Sequence, residues 1–267
     1  MIRIAAVGDL HVGDDSRGTL RDAFSELETT ADVLLLAGDL TRFGTEEEIE
    51  VLLGELEVVT IPRLAVLGNH DYESDQADVI IARLACAGVQ VLEGTHAVVR
   101  VGDATLGVAG TKGFGGGFAG AFGSDFGEPA MKAFVRYSRE LAEGLRAALA
   151  TLQTDVRVAL VHYSPTKDTL GAERLEIYPF LGSFLLGEAI DRAGADLAIH
   201  GHAHHGIEHG LTPGGVPVRN VAQPVIGTAY KLFTVAPGRT HHKESEADGP
   251  GTRWSCQWSS PARSSTS

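Results

Sequence analysis

Gly68-Asn69-His70-Asp71 follows the apolar run Leu64-Ala65-Val66-Leu67. The run reads as a buried strand, and the four residues as the loop that leaves it. In α/β proteins, ligand-binding and catalytic groups collect at the carboxyl ends of strands. Asn, His and Asp are poor core residues, and Gly68 lets the backbone turn tightly ahead of them. Taken alone, the stretch is also good turn chemistry, a polar turn with a helix cap. Four other polar clusters decide between these readings. Ile2–Val7 leads to Asp9 and His11, Val33–Ala37 to Asp39, Val156–Val161 to His162, and Leu197–Ile199 to His202 and His204. Each cluster falls where a strand ends. In a sheet built from βα units those ends lie along one edge and face one crevice. Separate bland explanations would have to coincide at that edge.

The rest of the chain supplies the scaffold. Leu20, Phe24 and Leu27 mark one face of a first helix. Thr45 opens a second, with Glu48 at the capping-box spacing. Ile49, Leu52, Leu53 and Leu56 form the apolar stripe of that helix, and its many Glu side chains read as a solvated face. Ala77, Ile80, Ile81 and Leu84 line a third helix, and Val89–Leu92 is a short strand. Ala97–Val101 and Thr105–Ala109 then read as a hairpin around Gly102-Asp103. Lys112–Gly127 is rich in Gly and carries Phe114, Phe118, Phe122 and Phe126 at a helical spacing that the glycines oppose. It reads as a mobile loop with apolar anchors, either a substrate lid or a packed structural loop. A long helix over Glu128–Leu152, a loop over Tyr163–Phe180 and a helix from about Ser183 to Ala193 follow. The runs Ile207–Leu211 and Val216–Val221 flank Pro213-Gly214-Gly215 as a second hairpin, and Ala229–Val235 adds a strand. Two sheets packed face to face, with helices on both outer sides, accommodate this order.

Length and composition bound the function. The 267 residues, 43% of them hydrophobic, suffice for one large core, and the repeated strand–helix alternation argues for one domain over residues 1–237. Residues 238–267 shift to Gly, Ser, Pro, His and mixed charge, the composition of a disordered tail. His241 and His242 lie there and are given no catalytic role; Trp254 and Trp258 could form a small docking element. A formal charge of −13 argues against a surface for long nucleic acid. Cys86 and Cys256 are too few and too far apart for a disulfide framework, and Cys86 reads as a buried thiol. The N-terminus enters a strand directly, and no apolar run has the length of a membrane span. A soluble, cytoplasmic protein is expected.

The strand-end groups are Asp9, His11, Asp39, Asn69, His162, His202 and His204. Two carboxylates, one amide oxygen and four imidazoles suit Mn, Fe or Zn better than Ca or Mg alone. The set exceeds one tetrahedral zinc. Two divalent or trivalent ions sharing one carboxylate use it efficiently. Such a centre keeps net positive charge and attracts a phosphate ester, which accounts for the absence of a Walker loop. His200, His205 and His209 surround the last cluster as supporting residues, with His205 the nearest neighbour, and His96 is structural.

The ordered set Asp9-x-His11, Gly38-Asp39-x4-Gly44, Gly68-Asn69-His70-Asp71, His162 and Gly201-His202-x-His204 resembles the five motifs of the calcineurin-like metallophosphoesterase superfamily. The resemblance spans about residues 2–236. It implies a four-layer α/β/β/α sandwich of two mixed sheets flanked by helices, with a dinuclear metal site. Asp9, His11, Asp39 and His204 would hold one ion. Asp39, Asn69, His162 and His202 would hold the other, with Asp39 bridging. The implied reaction is hydrolysis of a phosphate ester by in-line attack of a hydroxide between the ions. His70 is then free to bind a phosphate oxygen and protonate the leaving group. Asp71, its neighbour, is expected to orient the imidazole and raise its pKa. Thr41-Arg42-Phe43-Gly44, and Asp rather than Glu at position 71, depart from the protein Ser/Thr phosphatases. Asp39-Leu40-Thr41 and His162-Tyr163-Ser164-Pro165 look more like bacterial phosphodiesterases related to the cyclic-nucleotide group. A small phosphodiester is therefore the expected substrate. The alternatives are a phosphomonoesterase, a nucleotide pyrophosphohydrolase, or a binding module that keeps the fold without the chemistry. Lys112, Arg136, Tyr163 and Tyr178 are the candidate substrate contacts.

Overall fold

The structure, a computed structural model, describes residues 1–237. The tail expected over 238–267, with His241, His242, Trp254, Cys256 and Trp258, lies outside the described residues. In chain order the elements are β1 (Ile2–Val7), α1 (Arg21–Ser25), α2 (Leu27–Thr30), β2 (Val33–Ala37), α3 (Glu46–Leu56), β3 (Arg63–Val66), α4 (Ala77–Cys86) and β4 (Val89–Val91). Next come β5 (Thr95–Val101), β6 (Ala104–Thr111), β7 (Gly117–Phe118), β8 (Ala121–Phe122), α5 (Pro129–Thr151) and β9 (Val156–Val161). The last are α6 (Tyr178–Leu181), α7 (Phe184–Ala193), β10 (Leu197–His200), β11 (His209–Leu211), β12 (Pro217–Asn220), α8 (Gln223–Ile226) and β13 (Lys231–Val235).

Two mixed sheets form the centre. The first has the order β13-β1-β2-β3-β4, with β1 to β4 parallel and β13 antiparallel to β1. The second has the order β11-β12-β10-β9-β6-β5, with β12, β10, β9 and β6 parallel and an antiparallel strand at each edge. Alternation along a strand sends successive side chains to opposite faces, and β2 is apolar on both. Val33, Leu35 and Ala37 enter the core between the sheets, beside Ile4, Val66, Val108, Val158 and Leu160. Leu34 and Leu36 face Phe24, Ile49, Leu52 and Leu84 of the helices outside the first sheet. On the outer face of the second sheet, Ala109, Ala159 and Val161 meet Leu145 and Leu149 of α5 and Ile190 of α7. The layers run α/β/β/α, as the resemblance implied. The sheets are tied where the site begins: Gly8 N–H donates to the Val221 carbonyl at 2.9 Å, and Gln223 N–H to the Gly8 carbonyl at 2.9 Å.

Local expectations fare unevenly. The capping box at α3 is present, with Glu48 N–H donating to Thr45 Oγ1 at 3.3 Å. Its acidic face is not wholly solvated, however. Glu48 and Glu55 are buried. Glu55 accepts hydrogen bonds from the backbone N–H groups of Leu20 and Arg21, both at 2.8 Å, so this carboxylate clamps the entry to α1. The single first helix is two short ones that meet at Glu26, although Leu20, Phe24 and Leu27 are all buried. Cys86 is exposed rather than buried: the inward stripe of α4 runs through Ile80 and Leu84, and Cys86 lies off it. In Lys112–Gly127 the helical Phe spacing folds instead as the small hairpin β7–β8. Phe118 is buried and Phe114 half-buried, whereas Phe122 and Phe126 are exposed. Only two of the four are anchors. The Tyr163–Phe180 loop contains two 3-10 turns, Lys167–Thr169 and Leu175–Ile177, and its end belongs to α6. Among the described residues no helix is long and apolar enough to cross a membrane.

Candidate metal centre

Five strands deliver the site. Asp9 and His11 follow β1, Asp39 follows β2, Asn69 and His70 follow β3, His162 follows β9, and His202 and His204 follow β10. The backbone there is unusual. Asp9 (φ +57°), His11 (+43°), Asp39 (+49°) and His202 (+69°) are all left-handed, and Asp75 is the one other such non-glycine residue among those described. Side chains rarely adopt that conformation, and clusters of it mark sites where function dictates geometry. Two glycines allow the close approach of neighbouring loops. A Cβ at Gly68 would fall on Asp39 Oδ1 and its backbone nitrogen, and one at Gly201 on Asp9 Oδ2.

The side chains converge in two groups that share Asp39. In the first, His204 Nε2 is 2.8 Å from Asp9 Oδ1 and 3.4 Å from His11 Nε2, and His11 Nε2 is 3.8 Å from Asp39 Oδ2. In the second, His162 Nε2 is 3.4 Å from Asp39 Oδ1 and 3.1 Å from Asn69 Oδ1, and the His162 and His202 rings lie 4.8 Å apart. Within each of the groups Asp9-His11-Asp39-His204 and Asp39-His162-His202, the possible ligand atoms all lie within 4.8 Å of one another. The ring orientations fit metal ligation. The His162 Nδ1 proton is held by the Ala37 carbonyl at 2.9 Å, which turns Nε2 toward Asp39. His202 uses Nε2 on the Phe180 carbonyl at 3.0 Å, leaving Nδ1 free. Such carbonyl contacts fix the tautomer of ligating imidazoles. Two imidazole nitrogens face each other at His11 and His204, among carboxylates; a cation would satisfy all of them together.

The calcineurin-like phosphoesterase profile matches residues 2–206. The chain belongs to the calcineurin-like phosphoesterase family. It is a metal-dependent phosphoester hydrolase, and the family and the two clusters together point to a dinuclear divalent-metal centre. Its fold is similar to that of phosphopantetheinyl hydrolase from Mycobacterium tuberculosis, at TM-score 0.61 and 16% identity over 88% of this chain and 98% of that one. It is also similar to a putative 5'-nucleotidase from Staphylococcus aureus, at TM-score 0.51 and 16% identity over 82% of this chain and 48% of that one. A third similar structure is GAP50, described as the anchor in the inner membrane complex of Plasmodium, at TM-score 0.52 and 13% identity over 84% of this chain and 72% of that one. No curated protein sequence matched. At these identities the likeness concerns fold, and chemistry has to be argued from the site.

In the phosphoesterase, His70 stands beside the first group without joining it. Its ring lies 4.5 Å from that of His11, edge to face, and its Nε2 is 4.0 Å from Asp39 Oδ2. The expectation that Asp71 orients it is corrected by the structure. His70 Nδ1 is held by the Arg42 carbonyl at 2.7 Å. Asp71 is fully buried and accepts from Thr41 N–H at 2.9 Å, Thr41 Oγ1 at 2.7 Å, Gly68 N–H at 2.8 Å and Leu40 N–H at 3.2 Å. Its carboxylate ties the Asp39 loop to the Gly68 loop and so positions Asp39, the residue that both groups share. Adjacent residues in a helical turn do not face each other, which is why sequence adjacency misled here.

The electrostatics follow from burial and from Asp39. Burial opposes charge on His162, but the nearby Asp39 carboxylate and its hydrogen bond outweigh it and hold the pKa up, at about 9. Burial would raise Asp39, yet His162 overcomes that and holds its carboxyl well below the usual range. Burial, reinforced by the positive charge of His162, lowers His202 to about 4. In the metal-free phosphoesterase His162 is therefore protonated at neutral pH, and an entering ion must displace that proton. The raised pKa stabilises the metal-free fold below pH 6.5, and this contribution is lost as pH rises through about 9. Metal affinity gains over the same window. The rise in Tm caused by saturating Mn is accordingly expected to widen from pH 6.5 to 9; a rise independent of pH would contradict the assignment.

Of the proposed substrate contacts, Lys112 and Tyr163 lie beside the centre. Tyr163 is buried, with its ring 4.3 Å from that of His202. Arg136 is exposed on α5, and Tyr178 packs on Phe118 at 6.1 Å. His200 is buried and bonded to Thr169 Oγ1 at 2.8 Å, and burial lowers it to about 4, so it is a neutral support of the His202 loop. His205 is exposed, with its backbone N–H donating to Glu173 Oε1 at 2.9 Å, and His96 meets Thr151 Oγ1 at 3.2 Å. The carbonyls of Arg42 and Phe180 escape a sequence reading, because any residue type supplies one.

Proposed function

We propose that this phosphoesterase hydrolyses a small phosphodiester. Asp9, His11, Asp39 and His204 would hold one ion, and Asp39, Asn69, His162 and His202 the second. The observation that carries the reading is the sharing of Asp39 by both groups, with a non-ligating imidazole, His70, at their edge. When bound, the ions supply Lewis-acid charge and lower the pKa of water. The chain's own residues do the rest. Asp71 fixes the Asp39 and Gly68 loops relative to each other. Arg42 O holds His70 so that Nε2 can give a proton to the departing oxygen. Exposed Phe43, Tyr72, Tyr137 and Phe180 are apolar surface for the organic part of an ester. Departure of the second motif from the protein Ser/Thr phosphatases supports a small-molecule diester over a phosphoprotein. Cyclic nucleotides fall within that class.

The test compares bis-p-nitrophenyl phosphate with p-nitrophenyl phosphate after chelation and re-addition of Mn. Faster metal-dependent cleavage of the diester is expected, with Asn69→Ala depressing it. A strong monoester preference would move the protein to the phosphomonoesterase reading.

A further inference from the structure

Lys112 is buried, at 5% exposure, where β6 ends. Its carbonyl accepts the backbone N–H groups of His162 at 3.0 Å and Tyr163 at 3.1 Å, so its position is set by the ligand-bearing loop itself. The ammonium lies among four aromatic rings: Tyr72 at 4.9 Å, Phe114 at 5.0 Å, and Tyr137 and Tyr163 at 5.5 Å. Rings attract a cation through their faces, but they do not use up its three N–H donors. Glu93, the adjacent carboxylate, accepts from the backbone N–H groups of Leu67 at 3.5 Å and Lys112 at 3.3 Å, not from Nζ. Among the described residues Nζ makes no hydrogen bond and no close ion pair, although the charges of Glu93 and Asp39 act on it, and the hydroxyls of Tyr72, Tyr137 and Tyr163 make no hydrogen bond. Nor is Nζ sealed in, since the fully enclosed side-chain nitrogens without a partner are Arg63 Nε and Arg157 Nε. A buried charge left unpaired is costly. A caged ammonium with spare donors, one ring away from the ligand candidate His202, is therefore a prepared anion site.

We propose that Lys112 is a specificity-determining residue that binds a second anionic group of the substrate, a phosphate or carboxylate attached next to the phosphorus undergoing attack. The Tyr163 ring touches both the ammonium and His202, and so stands between this subsite and the second metal group. With that ring 5.5 Å from the ammonium and 4.3 Å from the His202 ring, the interposed aromatic suits a neighbouring group rather than another oxygen of the same phosphate. The buried Tyr163 wall lowers the local dielectric and strengthens the contact. The inference rests on the proposed metal-dependent reading and narrows its substrate: a diphosphate-like or carboxylate-bearing ester fits better than an ester with one charge.

The test measures AMP and ADP binding to the Mn-loaded protein by calorimetry, with metal content determined separately. Wild type is expected to bind ADP about tenfold more tightly than AMP, the scale of one charge-assisted contact. Lys112→Met should erase that preference and leave AMP affinity and metal content unchanged, and Lys112→Arg should restore part of it. The thermal transition of each variant verifies folding. Equal weakening of AMP and ADP, or an ADP preference that survives in Lys112→Met, would overturn the inference with the metal-dependent reading intact. Failure of the wild type to load metal would overturn both.

Discussion

Asp39→Ala is expected to lower kcat/KM for a phosphodiester by a factor on the order of 10^3–10^4, because several kcal/mol of metal-derived charge stabilisation vanish together. No other side chain belongs to both groups. Oδ1 meets His162 Nε2 at 3.4 Å and accepts the His70 backbone N–H at 2.9 Å, while Oδ2 meets His11 Nε2 at 3.8 Å. Alanine removes the carboxylate the two groups share, the proposed bridging ligand, and orphans the N–H that shapes the His70 turn. The variant should therefore fail to hold either ion at concentrations that saturate wild type. Asn69→Ala, which removes the neutral ligand proposed for one group only, should lose less. Mn-dependent turnover of bis-p-nitrophenyl phosphate by the two variants checks this order, and near-equal losses would contradict the bridging role.

His70→Ala is the second large effect. General acid–base groups contribute roughly 10^2–10^4-fold, and in the proposed reading His70 serves as the acid from the edge of the two groups, with Nε2 4.0 Å from Asp39 Oδ2. The Arg42 carbonyl fixes the ring from behind at 2.7 Å, and Glu73 Oε2 lies 3.7 Å from the same Nδ1. Removal should lower kcat by about 10^2-fold on an alkyl ester, whose leaving group needs a proton. The loss should be much smaller on a p-nitrophenyl ester, whose leaving group does not. Metal content should be unchanged, since His70 is outside both ligand groups. A loss of the same size on both esters, or loss of metal, would remove His70 from the acid role.

The site was legible because its residues violate the apolar pattern at equivalent places. β1, β2 and β9 have the bounds read from sequence, and the polar groups that follow them meet in one crevice. Polar residues at the ends of apolar runs are a periodicity signal, and period is what a single sequence carries well. Partnership beyond side-chain identity was not legible. Asp71 reads as the partner of His70, but it serves the backbone of Leu40, Thr41 and Gly68. The actual partner is a backbone carbonyl. Glu48 and Glu55 look like solvated helix residues, yet both satisfy loop N–H groups from positions distant in sequence or outside the helix. Strand order was hidden for the same reason. Nothing local to Lys231–Val235 says that it returns to lie antiparallel to β1. The phenylalanines of Lys112–Gly127 suggested a helical stripe, but left-handed Gly113, Gly117 and Gly120 favour a hairpin, and that hairpin buries Phe118 alone of its two.

Metal stoichiometry tests the central claim most directly. Protein stripped with chelator, dialysed against Mn and analysed by elemental mass spectrometry is predicted to hold two ions per chain in wild type, about one in Asn69→Ala and almost none in Asp39→Ala. A wild type that holds no ion, or three proteins with the same content, would contradict a dinuclear centre bridged by Asp39.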